Sequence, residues 1–356
     1  MIPDLQPSKI REMHGLAGPD SVNLGLGQPV LDQPSEFINV VNQVMREDDL
    51  GYTGYAGLPE LREAVANRVC GNSGSGDNVS ITVGTTEGLF ATLLTLLQQD
   101  DEVLIPDPGF VLYSAVIKIV GGQPVTYPLY ASNDFDLSVD DITERITSRT
   151  RAILINSPNN PTGRIIDRSQ LEQLTEIAAA HDLYVISDEV YDTIDYTGNF
   201  SSAWGLTDKV IVLGGASKTF AMTGWRLGWV IGDLDIMSKI NIAHHYMVAC
   251  APAIAQRVMA RLLTGDGTIG ESVRQQYQQE YIRRRQAMLD AIHRELPDWE
   301  YITPEGAFYL MLKIPEGLLA TAGTSEQFAK NLIAEQDIVT IPGSTFGDEG
   351  EGYLRR

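Results

Sequence analysis

Apolar residues in this chain gather in short runs, and most runs end in glycine, proline or small polar residues. Six runs of four or five residues read as buried strands: Val79–Val83, Glu102–Pro106, Pro124–Tyr127, Arg151–Ile155, Leu183–Ser187 and Val210–Leu213. Between them, helical periodicity predicts helices over Leu89–Gln98, Val111–Val120, Val139–Ile146 and Ser169–His181. This alternation predicts an α/β fold with a mostly parallel central sheet flanked by helices. Ahead of it lie an arm or short helix within residues 1–20, an amphipathic helix over Phe37–Glu47 and a helix opening near Pro59. Residues Cys70–Asn78 read as a flexible surface turn. Beyond residue 233 the rhythm is lost. Helices are expected over Leu234–Tyr246, Ala253–Leu263, Ser272–Leu296 and Thr324–Gln336. Sheet-like alternation is read over Trp299–Leu312, with a turn at 304–306, and over Ile338–Ile341. This second region is expected to be a smaller α+β domain.

A chain of 356 residues can bury two sizeable cores. Its 47 acidic and 26 basic residues give a net charge of −21. The densest basic cluster, Arg283–Arg285, lies on a predicted helix and reads as a solvated face. Nucleic acid and anionic membranes are therefore not expected as partners. Cys70 and Cys250 are too few for a disulfide framework, which fits a reducing cytoplasm. The first residues hold no apolar signal core, and no run approaches a membrane span. His244 and His245 are adjacent on a predicted helix and point in different directions, so no metal site is expected there.

The candidate chemistry sits where predicted strands end. After Val210–Leu213 come Gly214, Gly215 and Ser217 in a tight turn, then Lys218 and, eight residues on, Arg226. Lysine can form a Schiff base with an aldehyde. Arginine can hold a phosphate through two parallel hydrogen bonds. Pyridoxal phosphate carries both groups on one ring. The competing reading makes Lys218 a solvated surface lysine. Gly84, Thr85 and Thr86 open the predicted helix after Val79–Val83, as a phosphate cradle or as a simple cap. Phe110 follows a strand end, where it could stack on a flat ring or join the core. Asn160 precedes a proline in N-N-P-T-G and is held extended. Asp188 could pair with a protonated ring nitrogen or cap a helix, with Tyr191 three residues on. Gly27 lies in a glycine-rich turn that permits close backbone approach. Tyr52 and Tyr55 sit in a loop rich in glycine, as contact or core residues.

G-T-T-E-G, N-N-P-T-G, D-E-V-Y, S-K-T-F-A-M-T-G-W-R-L-G and Y-T-G-Y-A-G-L-P-E-L-R occur in an arrangement that resembles the class I/II aminotransferases, fold-type I pyridoxal-phosphate enzymes. The resemblance implies that Lys218 carries the cofactor and shuttles a proton between substrate Cα and cofactor C4′. It implies that Asp188 pairs with the ring nitrogen, that Tyr191 and Asn160 hold the phenolic oxygen, and that Phe110 stacks on the ring. Arg226, the 84–86 turn and Tyr52 of a neighbouring subunit would bind phosphate, with Ser217 beside them. Gly27 would lie near the substrate, and Arg355 in G-Y-L-R would clamp its carboxylate. A homodimer is implied. So are a large cofactor-binding domain over 36–265 and a discontinuous small domain from 1–35 and 266–356. At two places the chain departs from the family's usual pattern. Gly215 stands where a phosphate-binding serine is common, and the sequence stops at Arg356, one residue past the clamp. The second departure leads to the expectation of a truncated chain, or of a short small domain with Arg355 poorly held.

Transamination between an amino acid and a 2-oxo acid is the expected activity. The alternative on the same scaffold is a lyase eliminating at Cβ or Cγ. A regulator with an aminotransferase-like domain would need a DNA-binding extension, which the short, non-basic residues 1–20 do not offer. A non-catalytic dimer would leave Lys218, Asp188 and Arg226 without a purpose. The sequence leaves aspartate, alanine, aromatic and methionine-like donors open.

Overall fold

The computed structural model describes residues 8–264 and 267–356. The first residues of the expected arm, and the 265/266 domain boundary, lie outside the described residues. In chain order the helices are α1 (Lys9–Gly15), α2 (Ser35–Glu47), α3 (Pro59–Val69), α4 (Gly84–Leu96), α5 (Leu112–Ile119), α6 (Val139–Thr143), α7 (Arg168–Ala180), α8 (Ala216–Thr219), α9 (Leu234–Val248), α10 (Ala253–Leu263), α11 (Thr268–Glu295), α12 (Glu316–Ala322) and α13 (Ser325–Gln336). The strands are β1 (Val22–Asn23), β2 (Val79–Thr82), β3 (Glu102–Asp107), β4 (Gln123–Pro128), β5 (Thr150–Asn156), β6 (Tyr184–Asp188), β7 (Val210–Gly215), β8 (Gly228–Ile231), β9 (Met311–Lys313), β10 (Ile338–Val339), β11 (Ile341–Pro342) and β12 (Tyr353–Arg355).

A seven-stranded sheet in the order β2-β8-β7-β6-β5-β3-β4 forms the centre. Strands β4, β3, β5, β6 and β7 run parallel, while β8 is antiparallel to both β7 and β2. Successive residues of β5 and β7 serve opposite faces. Ile153, Ile155, Val210 and Val212 enter one core, and Ala152, Leu154, Ile211 and Leu213 enter the other. Strands covered on both faces must be apolar throughout, which is why they read as continuous runs. The chain goes outward from β3 to β4 and returns to β5 beside β3. Such a reversal opens a crevice at the carboxyl ends of the strands.

A separate apolar core joins the two ends of the chain. Met13 of α1 packs with Ile314, Ala329, Val339, Phe346 and Leu354. Strands β1 and β10 pair in parallel, and β12 lies between β11 and β9.

Two expectations need correction, and one strand lies outside what the sequence pattern predicts. Helix α4 starts at Gly84, not Leu89. Its first-turn N–H groups lack intrahelical partners in any case, so loop-like residues can open it. The stretch Trp299–Leu312 is not a strand. Only Met311–Lys313 joins a sheet, with isolated bridges from Tyr301 and Gly306. The backbone of Glu305 and Gly306 donates to Gly163 O, and Ala307 donates to Ile194 O, so these residues bind loops of the central sheet. Strand β8 was not foreseen as an element. It follows the lysine segment directly, and nothing local announces its antiparallel insertion.

Candidate active site

Strand β7 and the short helix α8 carry Lys218 into a pocket at the carboxyl ends of β3, β5, β6 and β7. The pocket has about 240 Å³ of free space, far above the roughly 10–15 Å³ that one water needs. Lys218 Nζ donates to Gly27 O at 2.7 Å. Burial lowers its pKa to about 8, helped by the cations Arg355 and Arg226 and opposed by Asp188. Asp188 ends β6 and is buried, so it does not act as a helix cap. Burial raises its pKa to about 6, opposed by a 2.8 Å hydrogen bond from Tyr113 Oη, a 3.3 Å bond from Val190 N and the charge of Lys218.

A polar network runs from this pair to Arg355. Asn156 Nδ2 donates to Asp188 O at 2.8 Å, and Asn156 Oδ1 accepts from Asn160 N at 2.8 Å. Asn160 Oδ1 accepts from Arg355 Nη1 at 3.1 Å, and Gly25 O accepts from Arg355 Nη2. Arg355 is only 1% exposed, with Tyr309 and Phe346 rings 4.5 and 4.7 Å from its guanidinium carbon. The expectation that Arg355 is poorly held is thus corrected. Pairing of β12 with β9 and β11, together with the buried rings, fixes it. Its Nε has no protein partner and remains a buried donor. Tyr191 Oη shares a 2.7 Å hydrogen bond with Tyr309 Oη, and desolvation pushes both phenols up.

At the other end, Arg226 takes a left-handed φ of 55° and donates to Thr223 O at 3.0 Å. Its guanidinium lies against Gly84. A Cβ at Gly84, whose φ is +73°, would come within 2.5 Å of Arg226 Nη2. Thr85, Thr86 and Ser217 line the same end. The serine-to-glycine departure at 215 has a physical reason. A Cβ there would meet Thr85 Oγ1 at 2.8 Å, and that hydroxyl instead donates to Gly214 O at 3.0 Å. Glu87 faces away from this role, accepting from Val83 N at 3.1 Å and contacting His244 Nδ1 at 3.0 Å.

A sequence profile described as Aminotransferase class I and II matches residues 19–355. The chain belongs to the class I and II aminotransferases. It is 36% identical to aromatic-amino-acid aminotransferase 2 of Thermococcus litoralis, across 99% of this chain and 91% of the relative. It is 35% identical to an aspartate aminotransferase of Pyrococcus abyssi, again across 99% and 91%. Among solved structures, the Thermus thermophilus aspartate aminotransferase with maleate superposes with a TM-score of 0.91 at 28% identity, covering 99% of this chain and 92% of that one. The aromatic aminotransferase of Pyrococcus horikoshii superposes at 0.87 with 32% identity, covering 97% and 92%. The fold is that of the fold-type I aminotransferases, and the reaction class is amino transfer. These relatives lend nothing to the lyase alternative.

In this aminotransferase the pocket gathers Gly27, Thr85, Thr86, Phe110, Asn160, Asp188, Tyr191, Ser217, Lys218, Arg226 and Arg355 from distant parts of the chain. Gly84 adjoins it through Arg226. Phe110 meets Tyr113 edge-on at 5.7 Å. Tyr52 is not in its own chain's pocket and is 93% exposed. Sequence reasoning missed Tyr113, Tyr309 and Ile10. Tyr113 stands three residues after Phe110, a spacing that could have drawn attention on a helix. Tyr309 was hidden in the supposed strand, and Ile10 carries no local signal.

Proposed function

We propose that this aminotransferase works with pyridoxal 5′-phosphate, which its residues would hold at Lys218, Asp188 and Arg226. The carrying observation is the buried Asp188 together with Lys218, depressed to about 8, and a guanidinium seated on Gly84 at a helix N-terminus. The fit is chemical. The amine end offers a nucleophile, the carboxylate a partner for a protonated ring nitrogen, and the free N–H groups of α4 a phosphate cradle. When bound, the cofactor supplies an electron sink for charge formed at substrate Cα.

Lys218 would be the attachment residue and, once free, the base that takes the proton from substrate Cα. An amine depressed to about 8 is neutral in a larger fraction at pH 7 than a surface lysine. Asp188 keeps the ring nitrogen protonated. Tyr191 and Asn160 hold the phenolic oxygen, Phe110 covers the ring, and Thr85, Thr86, Ser217 and Arg226 bind phosphate. Gly27 borders the substrate through its carbonyl. Arg355 pairs with the α-carboxylate, for which its unpartnered Nε supplies a ready donor. A first amino acid would leave its amino group in the site and depart as its oxo acid, before a second oxo acid enters, collects that group and departs as an amino acid, in ping-pong order.

We take the working unit as a homodimer in which the partner subunit's Tyr52 completes the phosphate site. The exposed Tyr52, Ile242 and Tyr246 support an apolar contact surface. Residues 36–265 form the large domain, and 1–35 with 266–356 the small one. The core shared by α1, β10 and β12 supports this division. The free cysteines Cys70 and Cys250 support a cytoplasmic setting. Among the described residues no helix is long and apolar enough to cross a membrane.

The test is a half-reaction. Protein loaded with pyridoxal phosphate receives single L-amino acids without any oxo acid. Amino transfer replaces the visible absorption band with a near-ultraviolet one and releases one oxo acid per site. Ammonia release with the visible band retained would replace this reading with the lyase.

A further inference from the structure

Beside its charged and polar groups, the pocket carries apolar side chains from two separate elements, Ile10 and Leu112. Resting on the cofactor reading above, the charged groups that line the pocket are Asp188, Lys218, Arg226 and Arg355. Each cation has a partner already. Lys218 takes the cofactor and the amine, Arg226 lies at the phosphate end against Gly84, and Arg355 takes the α-carboxylate. No fourth cation lines the pocket among the described residues.

The remaining wall includes Ile10 of α1 and Leu112, the first residue of α5. Ile10 packs against the core that contains Phe346, the ring beneath Arg355. This places Ile10 at the carboxylate end of the pocket, where substrate sits, and away from the phosphate end. The neighbouring cations on α1 do not fill the gap. Lys9 is ion-paired with Glu326, and Arg11 is exposed and outside the pocket wall.

We propose that this site selects amino donors with uncharged apolar or aromatic side chains and rejects the dicarboxylates aspartate and glutamate. A second carboxylate against Ile10 and Leu112 would lose hydration without gaining a donor, and Asp188 adds like charge nearby. An apolar side chain leaves nothing unpaired there and buries its surface. The names of the relatives do not decide this, because the aromatic and aspartate enzymes are 36% and 35% identical to the chain.

Two measurements on the cofactor-loaded protein test it. In the first, half-reaction rates are compared for phenylalanine, leucine and methionine against aspartate and glutamate. The apolar donors are expected to exceed the acidic ones by about 100-fold in kcat/KM. In the second, the unreactive acids 3-phenylpropionate and succinate are titrated calorimetrically, and phenylpropionate is expected to bind at least about 10-fold more tightly. Ile10→Lys should move both ratios at least about 10-fold towards the dicarboxylates. Aspartate or glutamate reacting as fast as phenylalanine, or succinate binding as tightly as phenylpropionate, overturns the proposal and points to a cation supplied by a partner subunit. If no donor converts at all, the amino-transfer reading fails separately, and the ranking of the two acids still decides the side-chain assignment.

Discussion

Lys218 and Asp188 share a pocket that withdraws both from water, and both pKa shifts run against the charged form. Desolvation is the larger cause in each, and their mutual attraction only partly offsets it. For Asp188 the sign follows from proton counting. Its pKa rises from 3.8 unfolded to about 6 folded, so between these values the native state holds more protons. Stability therefore falls as pH rises through that window, and the cost, on the order of 3 kcal/mol, is present in full above it. Asp188→Asn should therefore raise the stability of the cofactor-free protein at pH 7–8. The gain should vanish as pH falls below 4, and activity should drop by about two orders of magnitude. Thermal melts across pH, with turnover assays beside them, check this. A variant less stable than wild type at pH 8 would contradict the desolvation account. At this scale the sequence was legible where residues follow a strand directly. Asp188 ends β6, and Asn160 and Lys218 follow β5 and β7, so local pattern singles them out, while their roles come from the resemblance. Tyr113, Tyr309 and Ile10 reach the pocket through tertiary packing, which no local pattern encodes.

At the scale of elements, the Arg226 end of the pocket depends on how β7, β8 and α4 close on one another. Gly84 needs its positive φ and has no room for a Cβ beside Arg226. Gly84→Ala should therefore push the guanidinium aside. We expect cofactor affinity to fall at least about 10-fold, with a stability loss of about 1–3 kcal/mol from the strained backbone. Fluorescence titration with pyridoxal phosphate measures the first effect. An unchanged Kd would show that Arg226 does not serve the phosphate. The alternation of strands and helices made the parallel core readable in advance. It failed at β8, whose antiparallel placement depends on partners far away in sequence. It failed again at Trp299–Leu312, where backbone hydrogen bonds go to loops instead of a sheet. Alternating side chains alone cannot say where backbone donors will find acceptors.

At the scale of the molecule, the two chain ends build one core, and that core carries both Arg355 and Ile10 to the pocket. Local pattern gives neither end a purpose, because their contact spans over 300 residues; only the family resemblance implies that both ends form one domain and that Arg355 clamps the carboxylate. The same scale governs Tyr52, which is 93% exposed on its own chain. If the partner subunit's Tyr52 binds phosphate, Tyr52→Phe should weaken cofactor binding about 5- to 10-fold while leaving the stability of the chain unchanged. Sedimentation should give twice the chain mass. A monomer with an unaffected Tyr52→Phe variant would contradict the shared site.

Lys218 as the attachment residue is the central proposal. The decisive measurement is to load the protein with pyridoxal phosphate, reduce it with borohydride, digest it and locate the added mass. The predicted result is one phosphopyridoxyl group per chain, on Lys218, with none on a Lys218→Ala variant that has lost turnover. A label on another lysine, or no label on a folded protein, would contradict it.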